Sequence, residues 1–174
     1  MRLANMIVAC ATLALMVPGI SAAFSPNVTM TCRPLNHIWK YTALRHCFVI
    51  VWHWSEDPVP TKTIDAQYST PGWSRSPTKK INNPTFTQDR AAFFNPGGGN
   101  TNYDISVPNG MTAEDFADAI KQSADDIYCR FYLPIGPNSN TVAAAIVSSA
   151  GGAPPHVPYA LGARVSGCRR RSIN

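Results

Sequence analysis

Four cysteines constrain the fold of this chain more than any other feature. They are Cys32, Cys47, Cys129 and Cys168, whereas a fifth, Cys10, lies in an apolar N-terminal stretch. An even number of cysteines in an exported chain predicts two disulfides, and the sequence does not choose among the three possible pairings. A zinc site is the alternative, but no pair of cysteine or histidine residues has the spacing of zinc ligands.

The N-terminus has the layout of a secretory signal peptide. Arg2 precedes an apolar stretch over residues 6–17, and Ser21-Ala22-Ala23 supplies the small residues of a cleavage site. The apolar stretch is too short to cross a bilayer as a helix. We therefore predict that residues 1–23 are a signal peptide, that residues 24–174 form a single mature domain, and that the protein is secreted or periplasmic.

The mature sequence predicts an α+β domain. β-Branched and aromatic residues from His46 to Trp54 indicate a strong, largely buried strand, with His46 and His53 on opposite faces. The other predicted elements are strands at 28–34, 63–68 and 128–133, either short strands or a single turn of helix near 91–94, and helices at 112–127 and 139–150. This order favours a small, mostly antiparallel sheet packed against two main helices and stabilised by disulfides.

The run Gly136-Pro137-Asn138-Ser139-Asn140-Thr141 opens the last predicted helix. Pro and Gly end the preceding segment, and Asn, Ser and Thr side chains accept hydrogen bonds from the free amides of a helix start. The same position places the Ser139 hydroxyl at the positive end of a helix, where developing negative charge is stabilised. The motif therefore fits both a helix cap and a nucleophile.

A nucleophile requires a base within hydrogen-bonding reach and a group that orients this base. His46 begins the strongest strand and is the candidate base for Ser139. The backbone amides of Asn140 and Thr141 are the candidate donors to an oxyanion. The orienting group is not evident from the sequence; the candidates by position are Asp65, Gln67 and Asp104.

The chain resembles the circularly permuted papain-like families, the NlpC-type and lecithin:retinol acyltransferase-like group. The resemblance is closest to uncharacterised bacterial domains with a His-bearing strand, a helix, a short strand and then a Gly-Pro-Asn-Ser-Asn-Thr motif. Here His46 and residues 136–141 match that pattern, and residues 158–162 match the closing segment of the group. The resemblance implies a hydrolase or acyltransferase in which a residue at the helix start attacks an amide or ester. This chain has Ser139 where those enzymes place cysteine.

Three interpretations of Ser139 follow. It attacks an acyl group with His46 as base; or the site has lost its chemistry and kept binding; or Asn138 and its neighbours only hold the turn and cap the helix. The resemblance favours a cell-envelope or extracellular substrate, such as an amide or ester in peptidoglycan or lipid. The alternative function is a non-catalytic binding or interaction protein on the same scaffold.

The charge pattern adds little to these interpretations. The chain has 15 basic and 10 acidic residues, a net charge of +5, and Arg169-Arg170-Arg171 lies near its end. Residues 169–174 are expected to form a basic, solvated tail, although a secreted toxin or inhibitor would use such a tail for contact. Basic residues do not alternate with aromatics, so no specific nucleic-acid binding is expected. We also expect a monomer without metal or organic cofactor. Four aromatic residues are expected to line either the core or a ligand groove: Trp52, Trp54, Trp73 and Tyr68.

Overall fold

The computed structural model shows an α+β fold with two disulfides. It describes residues 25–35, 44–56, 59–70, 78–79, 87–129, 138–162 and 167–170. The predicted signal peptide, the Gly136-Pro137 pair, Trp73, Arg171 and the predicted strand residues 130–133 lie outside the described residues.

The described elements follow the predicted order of strands, helix, strand and helix. The strands are β1 (Asn27–Pro34), β2 (Arg45–Ser55), β3 (Thr61–Ser69), β4 (Thr78–Lys79), β5 (Thr101–Asp104), β6 (Ile127–Cys129) and β7 (Cys168–Arg170). The helices are α1 (Thr87–Phe94), α2 (Ala113–Asp126) and α3 (Ser139–Ser149). Within the described residues, β4-β3-β2-β1-β5 form one antiparallel sheet, and β6 and β7 form a separate antiparallel pair.

Strand β2 is buried on both faces of the sheet, as its apolar sequence predicts. Val49 and Val51 pack into a core with α2 and α3, whereas Phe48 and Ile50 pack with α1 on the opposite face. The two main helices therefore cover one face, and the short α1 covers the other. This arrangement places α1 on the face of β2 that carries His46.

Helix α2 begins and ends for local reasons. Thr112 is its N-cap, and Asp115 completes a capping box with it. Phe116, Ile120 and Ala124 form the buried stripe that the helical period predicts. Ile127, expected to extend this stripe, instead has extended backbone and begins β6, so its side chain enters the core from a strand.

The disulfides join Cys32 to Cys47 and Cys129 to Cys168. Each bridge links residues that face each other in an antiparallel ladder, β1 with β2 and β6 with β7. One of the three pairings left open by the sequence is thereby selected, and Cys47 and Cys129 are not free thiols.

The expected basic tail is solvated at its start, because Arg169 and Arg170 are exposed, but this part of it is an ordered strand. Arg169 and Arg170 belong to β7, where they pair with Tyr128 and Ile127 of β6. The Arg170 guanidinium donates to the Ser149 carbonyl at 2.9 Å and contacts the Ser123 hydroxyl at 3.1 Å. A cation at the last turn of α3 satisfies an otherwise unpaired carbonyl and complements the negative helix end.

Candidate active site

Strand β2 and helix α3 bring His46 and Ser139 together. The His46 Nδ1 atom lies 2.8 Å from the Ser139 Oγ atom, although the two residues are 93 positions apart. Both side chains are nearly buried, with 8% of His46 and 5% of Ser139 exposed. The proposed nucleophile and base are therefore in hydrogen-bonding contact, within the distance that proton transfer requires.

The cap of α3 is Asn138 rather than Ser139. The Asn138 side chain accepts hydrogen bonds from the backbone amides of Asn140 at 2.9 Å and Thr141 at 3.4 Å. The Thr141 hydroxyl accepts from the Asn138 amide at 3.2 Å, which completes a capping box. Because Asn138 satisfies the helix start, capping does not account for the contact between the Ser139 hydroxyl and His46.

This cap also corrects the expected oxyanion site. The amides of Asn140 and Thr141, predicted to bind an oxyanion, already donate to the Asn138 side chain. In this arrangement they are not directed at a substrate oxygen. Ser139 itself lies at the N-terminus of α3, which is the positive end of the helix dipole. Negative charge that develops there is stabilised by this dipole.

The group that orients His46 is Asp89, in the first turn of α1. The Asp89 Oδ2 atom lies 3.3 Å from the His46 Nε2 atom and accepts from the Ser69 hydroxyl at 2.8 Å. The Ser69 Oγ atom is also 3.3 Å from the His46 Nε2 atom. An acceptor carboxylate at Nε2 favours the tautomer that carries its proton there, which leaves Nδ1 to accept the proton of Ser139.

The guanidinium of Arg33 contacts the other carboxylate oxygen of Asp89. The Arg33 Nε atom donates to Asp89 Oδ1 at 2.5 Å, and only 1% of the Asp89 side chain is exposed. Burial alone would raise the pKa of Asp89, but the hydrogen bond and charge of His46, followed by those of Arg33, lower it from 3.8 to about 2. The carboxylate is therefore ionised throughout the neutral range and can stabilise an imidazolium at His46.

The register of β1 and β2 aligns these groups. Arg33 faces His46 directly across the ladder, and the adjacent pair is the disulfide between Cys32 and Cys47. Successive strand residues point to opposite faces, so the disulfide lies on the α2–α3 side and the polar pair on the α1 side. The bridge therefore fixes the register at the position where Arg33 and His46 both reach Asp89.

Asn140 joins helix α3 to the sheet. Its side-chain oxygen accepts from the Cys47 amide at 2.8 Å, and its side-chain nitrogen donates to the Arg45 carbonyl at 3.0 Å. A residue in a neighbouring strand would accept from one backbone amide of β2 and donate to one of its carbonyls. The Asn140 side chain makes both of these hydrogen bonds. Because Ser139 precedes Asn140 and His46 lies between Arg45 and Cys47, this contact holds the two catalytic candidates at a fixed separation.

The other orienting candidates lie elsewhere. Asp65 contacts His53 at 2.8 Å, and Asp104 accepts from the Thr29 hydroxyl at 2.9 Å. Gln67 is buried, and within the part of the chain that the structure describes its Nε2 atom has no hydrogen-bond partner. The group that contacts the His46 Nε2 atom is therefore Asp89, and none of these three candidates.

Sequence reasoning missed Asp89, Arg33 and Ser69 for identifiable reasons. An acidic residue in a first helical turn is ordinarily a partner of the helix dipole, so Asp89 carried no specific signal. Arg33 becomes visible only once Cys32 is known to pair with Cys47, since that pairing places the next residue opposite His46. Ser69 ends β3 and reaches Asp89 of α1 only in the folded chain. No sequence pattern near Ser69 indicates this contact.

The aromatic residues near the end of β2 are mainly structural. Trp52 and Tyr68 are buried in the two cores, whereas Trp54 is partly exposed. The Lys62 Nζ atom lies 4.6 Å from the centre of the Trp52 ring and 5.2 Å from that of Phe93, a cation–π arrangement. Burial, followed by the charges of Asp125 and Asp118, raises the pKa of Tyr68.

Comparisons with protein-family models, with curated proteins and with solved structures find no match to this chain. The resemblance to permuted papain-like enzymes therefore depends on the residues quoted for it. In the part of the chain that the structure describes, no helix is both long and apolar enough to span a membrane. No cluster of three or more His, Cys, Asp or Glu side chains suited to a metal ion occurs among those residues either.

Proposed function

We propose that this protein is a hydrolase or acyltransferase that acts on an amide or ester through Ser139. The observation that carries the proposal is the 2.8 Å contact between the Ser139 Oγ and His46 Nδ1 atoms, with Asp89 at the opposite ring nitrogen. A serine needs a base to become an effective nucleophile, and a base needs a partner that fixes its tautomer. The chain brings all three groups together from α3, β2 and α1.

The reaction follows acyl-transfer chemistry. The Ser139 oxygen attacks the substrate carbonyl carbon as its proton passes to His46 Nδ1, and Asp89 stabilises the resulting imidazolium. The bond from carbonyl carbon to the leaving oxygen or nitrogen then breaks, and His46 returns the proton to the leaving group. Water or another acceptor, deprotonated by His46, attacks the acyl-serine and releases the product with Ser139 restored.

The test is covalent labelling of the disulfide-bonded protein with a fluorophosphonate probe. We expect one adduct on Ser139, located by peptide mass spectrometry, and its loss in Ser139→Ala and His46→Ala. Ser148→Ala is the matched control, because Ser148 is an exposed serine at the other end of the same helix. Absence of labelling, together with absence of an acyl-enzyme burst with p-nitrophenyl acetate, would contradict the proposal.

The second candidate is a non-catalytic binding protein on the same scaffold. The observation that favours it is the low exposure of Ser139 and His46, which is also typical of a structural polar network. In that case Ser139→Ala would retain ligand binding, and the probe would leave Ser139 unmodified. The two candidates thus give opposite results in the labelling experiment.

The proposed location is outside the cytoplasm, in the periplasm or the external medium, with a substrate in the cell envelope. The two disulfides support an oxidising compartment, and the signal-like sequence of residues 1–23 supports export. N-terminal sequencing of the exported product tests this proposal, with Phe24 expected as the first residue. A product found only in the cytoplasm would contradict the proposed location, and an exported product that retains residues 1–23 would contradict cleavage after Ala23.

A further inference from the structure

Residues 157–162, here called the strap, cross the region where β2 meets α3. The Leu161 carbonyl accepts from the side-chain amides of Asn138 at 2.8 Å and Asn140 at 3.0 Å. These two residues are the immediate neighbours of Ser139. The strap is therefore attached on both sides of the proposed nucleophile.

The strap is also attached beside the base. The Arg45 amide donates to the Tyr159 carbonyl at 3.3 Å, and Arg45 directly precedes His46. The Thr141 hydroxyl donates to the Gly162 carbonyl. With these contacts, the backbone of the strap is held by residues that flank both Ser139 and His46.

Tyr159 adopts a left-handed backbone conformation, which is unfavourable for a residue with a bulky side chain. Its φ angle is 62°, and it is the only non-glycine residue with positive φ among the described residues. A left-handed conformation at such a residue is retained only where the surroundings enforce it, and residues of this kind cluster at ligand-binding and active sites. Here the enforcing contacts come from residues next to the catalytic pair.

The side chains of the strap divide between core and solvent. Val157 and Ala160 are buried in the core that contains α2 and α3. Tyr159 is 63% exposed and Leu161 is 41% exposed. The segment whose backbone contacts the neighbours of Ser139 and His46 thus exposes an aromatic ring and an aliphatic side chain to solvent.

The chemistry of the strap indicates which substrate group it suits. Residues 157–162 read Val-Pro-Tyr-Ala-Leu-Gly and contain no acidic or basic side chain. An apolar surface with one phenol retains an uncharged aliphatic or aromatic group and gives no compensation for desolvating a carboxylate or ammonium. Discrimination against charge would follow from this composition.

We propose that Tyr159 and Leu161 are specificity-determining residues that contact an uncharged apolar group next to the scissile carbonyl. This inference rests on the proposed function, because it assigns a substrate preference to the same site. The substrate class is an ester or amide whose acyl part is aliphatic or aromatic near the reacting carbon. Tyr159 and Leu161 act by binding and take no part in proton transfer.

The test compares two esters of equal acyl chain length, p-nitrophenyl butyrate and the mono-p-nitrophenyl ester of succinic acid. We expect the wild-type protein to prefer butyrate in kcat/KM. Tyr159→Asn and Leu161→Ser should each raise KM for butyrate by about tenfold with kcat nearly unchanged. Asn tolerates positive φ, so Tyr159→Asn removes the ring while keeping the backbone conformation.

The matched control is Val59→Ser, because Val59 has the same 63% exposure as Tyr159 but follows the opposite end of β2 from His46. This variant should leave both kinetic constants unchanged. Leu161→Ser keeps the inference testable if Tyr159→Asn fails to fold.

The outcomes separate the two proposals. A wild-type protein that neither labels at Ser139 nor hydrolyses either ester overturns the proposed function, and this inference with it. A wild-type protein that reacts through Ser139, with an ester preference that both strap variants leave unchanged, overturns only the inference. A preference for the charged ester would also overturn it.

Discussion

Arg33 and His46 face each other across the β1–β2 ladder and contact the two oxygens of one buried carboxylate. That carboxylate belongs to Asp89, on a helix that packs over the same sheet face. Arg33 and His46 therefore share a single carboxylate partner. The position of the imidazole depends on the strand register as well as on its own hydrogen bonds.

Removal of the carboxylate should change stability in a pH-dependent way. The pKa of Asp89 is lowered from 3.8 in a model peptide to about 2 in the fold. Its ionised form therefore stabilises the fold above about pH 4, by roughly 2 kcal/mol, and this contribution disappears as pH falls from about 4 to about 2. In urea unfolding, Asp89→Asn should be less stable than wild type by about that amount at pH 7, and the two curves should converge near pH 2.

The control for this measurement is Asp118→Asn. Asp118 is an exposed carboxylate whose contact with Lys121 lies on the helix surface. Exposed ion pairs of this kind contribute less than about 1 kcal/mol, so this variant should follow wild type at every pH. A constant difference between Asp89→Asn and wild type from pH 7 to pH 2 would contradict the assigned pKa.

Ser139→Cys should create a thiol of unusually low pKa. The introduced group would lie beside the His46 ring nitrogen and at the positive end of α3, both of which favour a thiolate. We expect the rate of iodoacetamide alkylation to show a pKa well below the usual value of about 8.5. The four described cysteines are bridged, so they do not react in parallel.

Ser148→Cys provides the comparison, because it introduces an exposed thiol at the opposite end of the same helix, away from His46. Its alkylation should follow an ordinary thiol pKa. If the two introduced thiols titrate alike, the imidazole and the helix end do not act on residue 139.

The elements of the fold that follow from local patterns were predicted well. Strand β2 and helix α2 have strong periodicity, and Thr112 provides a capping signal, so each was expected within a residue or two of its observed bounds. Strand β5 and the β6–β7 pair were less visible, because short strands depend on their partners rather than on their own sequence.

The candidate site was predicted only where chemistry and local structure coincide. Ser139 was visible through its helix-start motif, and His46 through its strong strand. Asp89 was not, because its role comes from packing of α1 against the sheet. The oxyanion assignment failed since the sequence shows that Asn138 can cap a helix but not which amides its side chain occupies.

Removal of the two disulfides, one at a time, should lower stability in both variants but disturb the geometry of the candidate site in only one. In the loop-entropy model, the Cys32–Cys47 bridge with a separation of 15 contributes about 3 kcal/mol. The Cys129–Cys168 bridge with a separation of 39 contributes about 4 kcal/mol in the same model. Both double-alanine variants should lose comparable stability in urea, but only loss of the first bridge should slow fluorophosphonate labelling of the fraction that remains folded.

The reason for this difference is position. Cys32 and Cys47 are adjacent to Arg33 and His46 in the ladder, whereas the second bridge joins β6 to β7. Equal labelling rates in the two folded variants would mean that the first bridge has no effect on the alignment of the site.

Asn140→Asp should destabilise the fold despite its nearly identical shape. The carboxylate keeps an acceptor for the Cys47 amide but has no donor for the Arg45 and Leu161 carbonyls. The partly buried Arg45 carbonyl would lose its Asn140 donor, the Leu161 carbonyl would keep only its Asn138 donor, and both would face a carboxylate. These changes should lower the free energy of unfolding by about 3 kcal/mol. Urea unfolding at pH 7 measures this loss, and Asn109→Asp in an exposed turn is the control. A loss below about 0.5 kcal/mol would show that the side-chain amide does not take the place of a strand residue.

Thr70→Val should stabilise the protein. The Thr70 hydroxyl is buried directly after β3, and its Oγ1 atom has no hydrogen-bond partner among the described residues. A buried polar group without a partner carries a desolvation penalty of about 1–3 kcal/mol, and valine replaces the hydroxyl by a methyl group of similar size. We expect a gain of about 1 kcal/mol in urea unfolding, with Thr70→Ser, which retains a hydroxyl, showing no gain. A loss of stability in Thr70→Val would contradict this prediction. It would mean that the hydroxyl has a hydrogen-bond partner in solution, such as a buried water molecule.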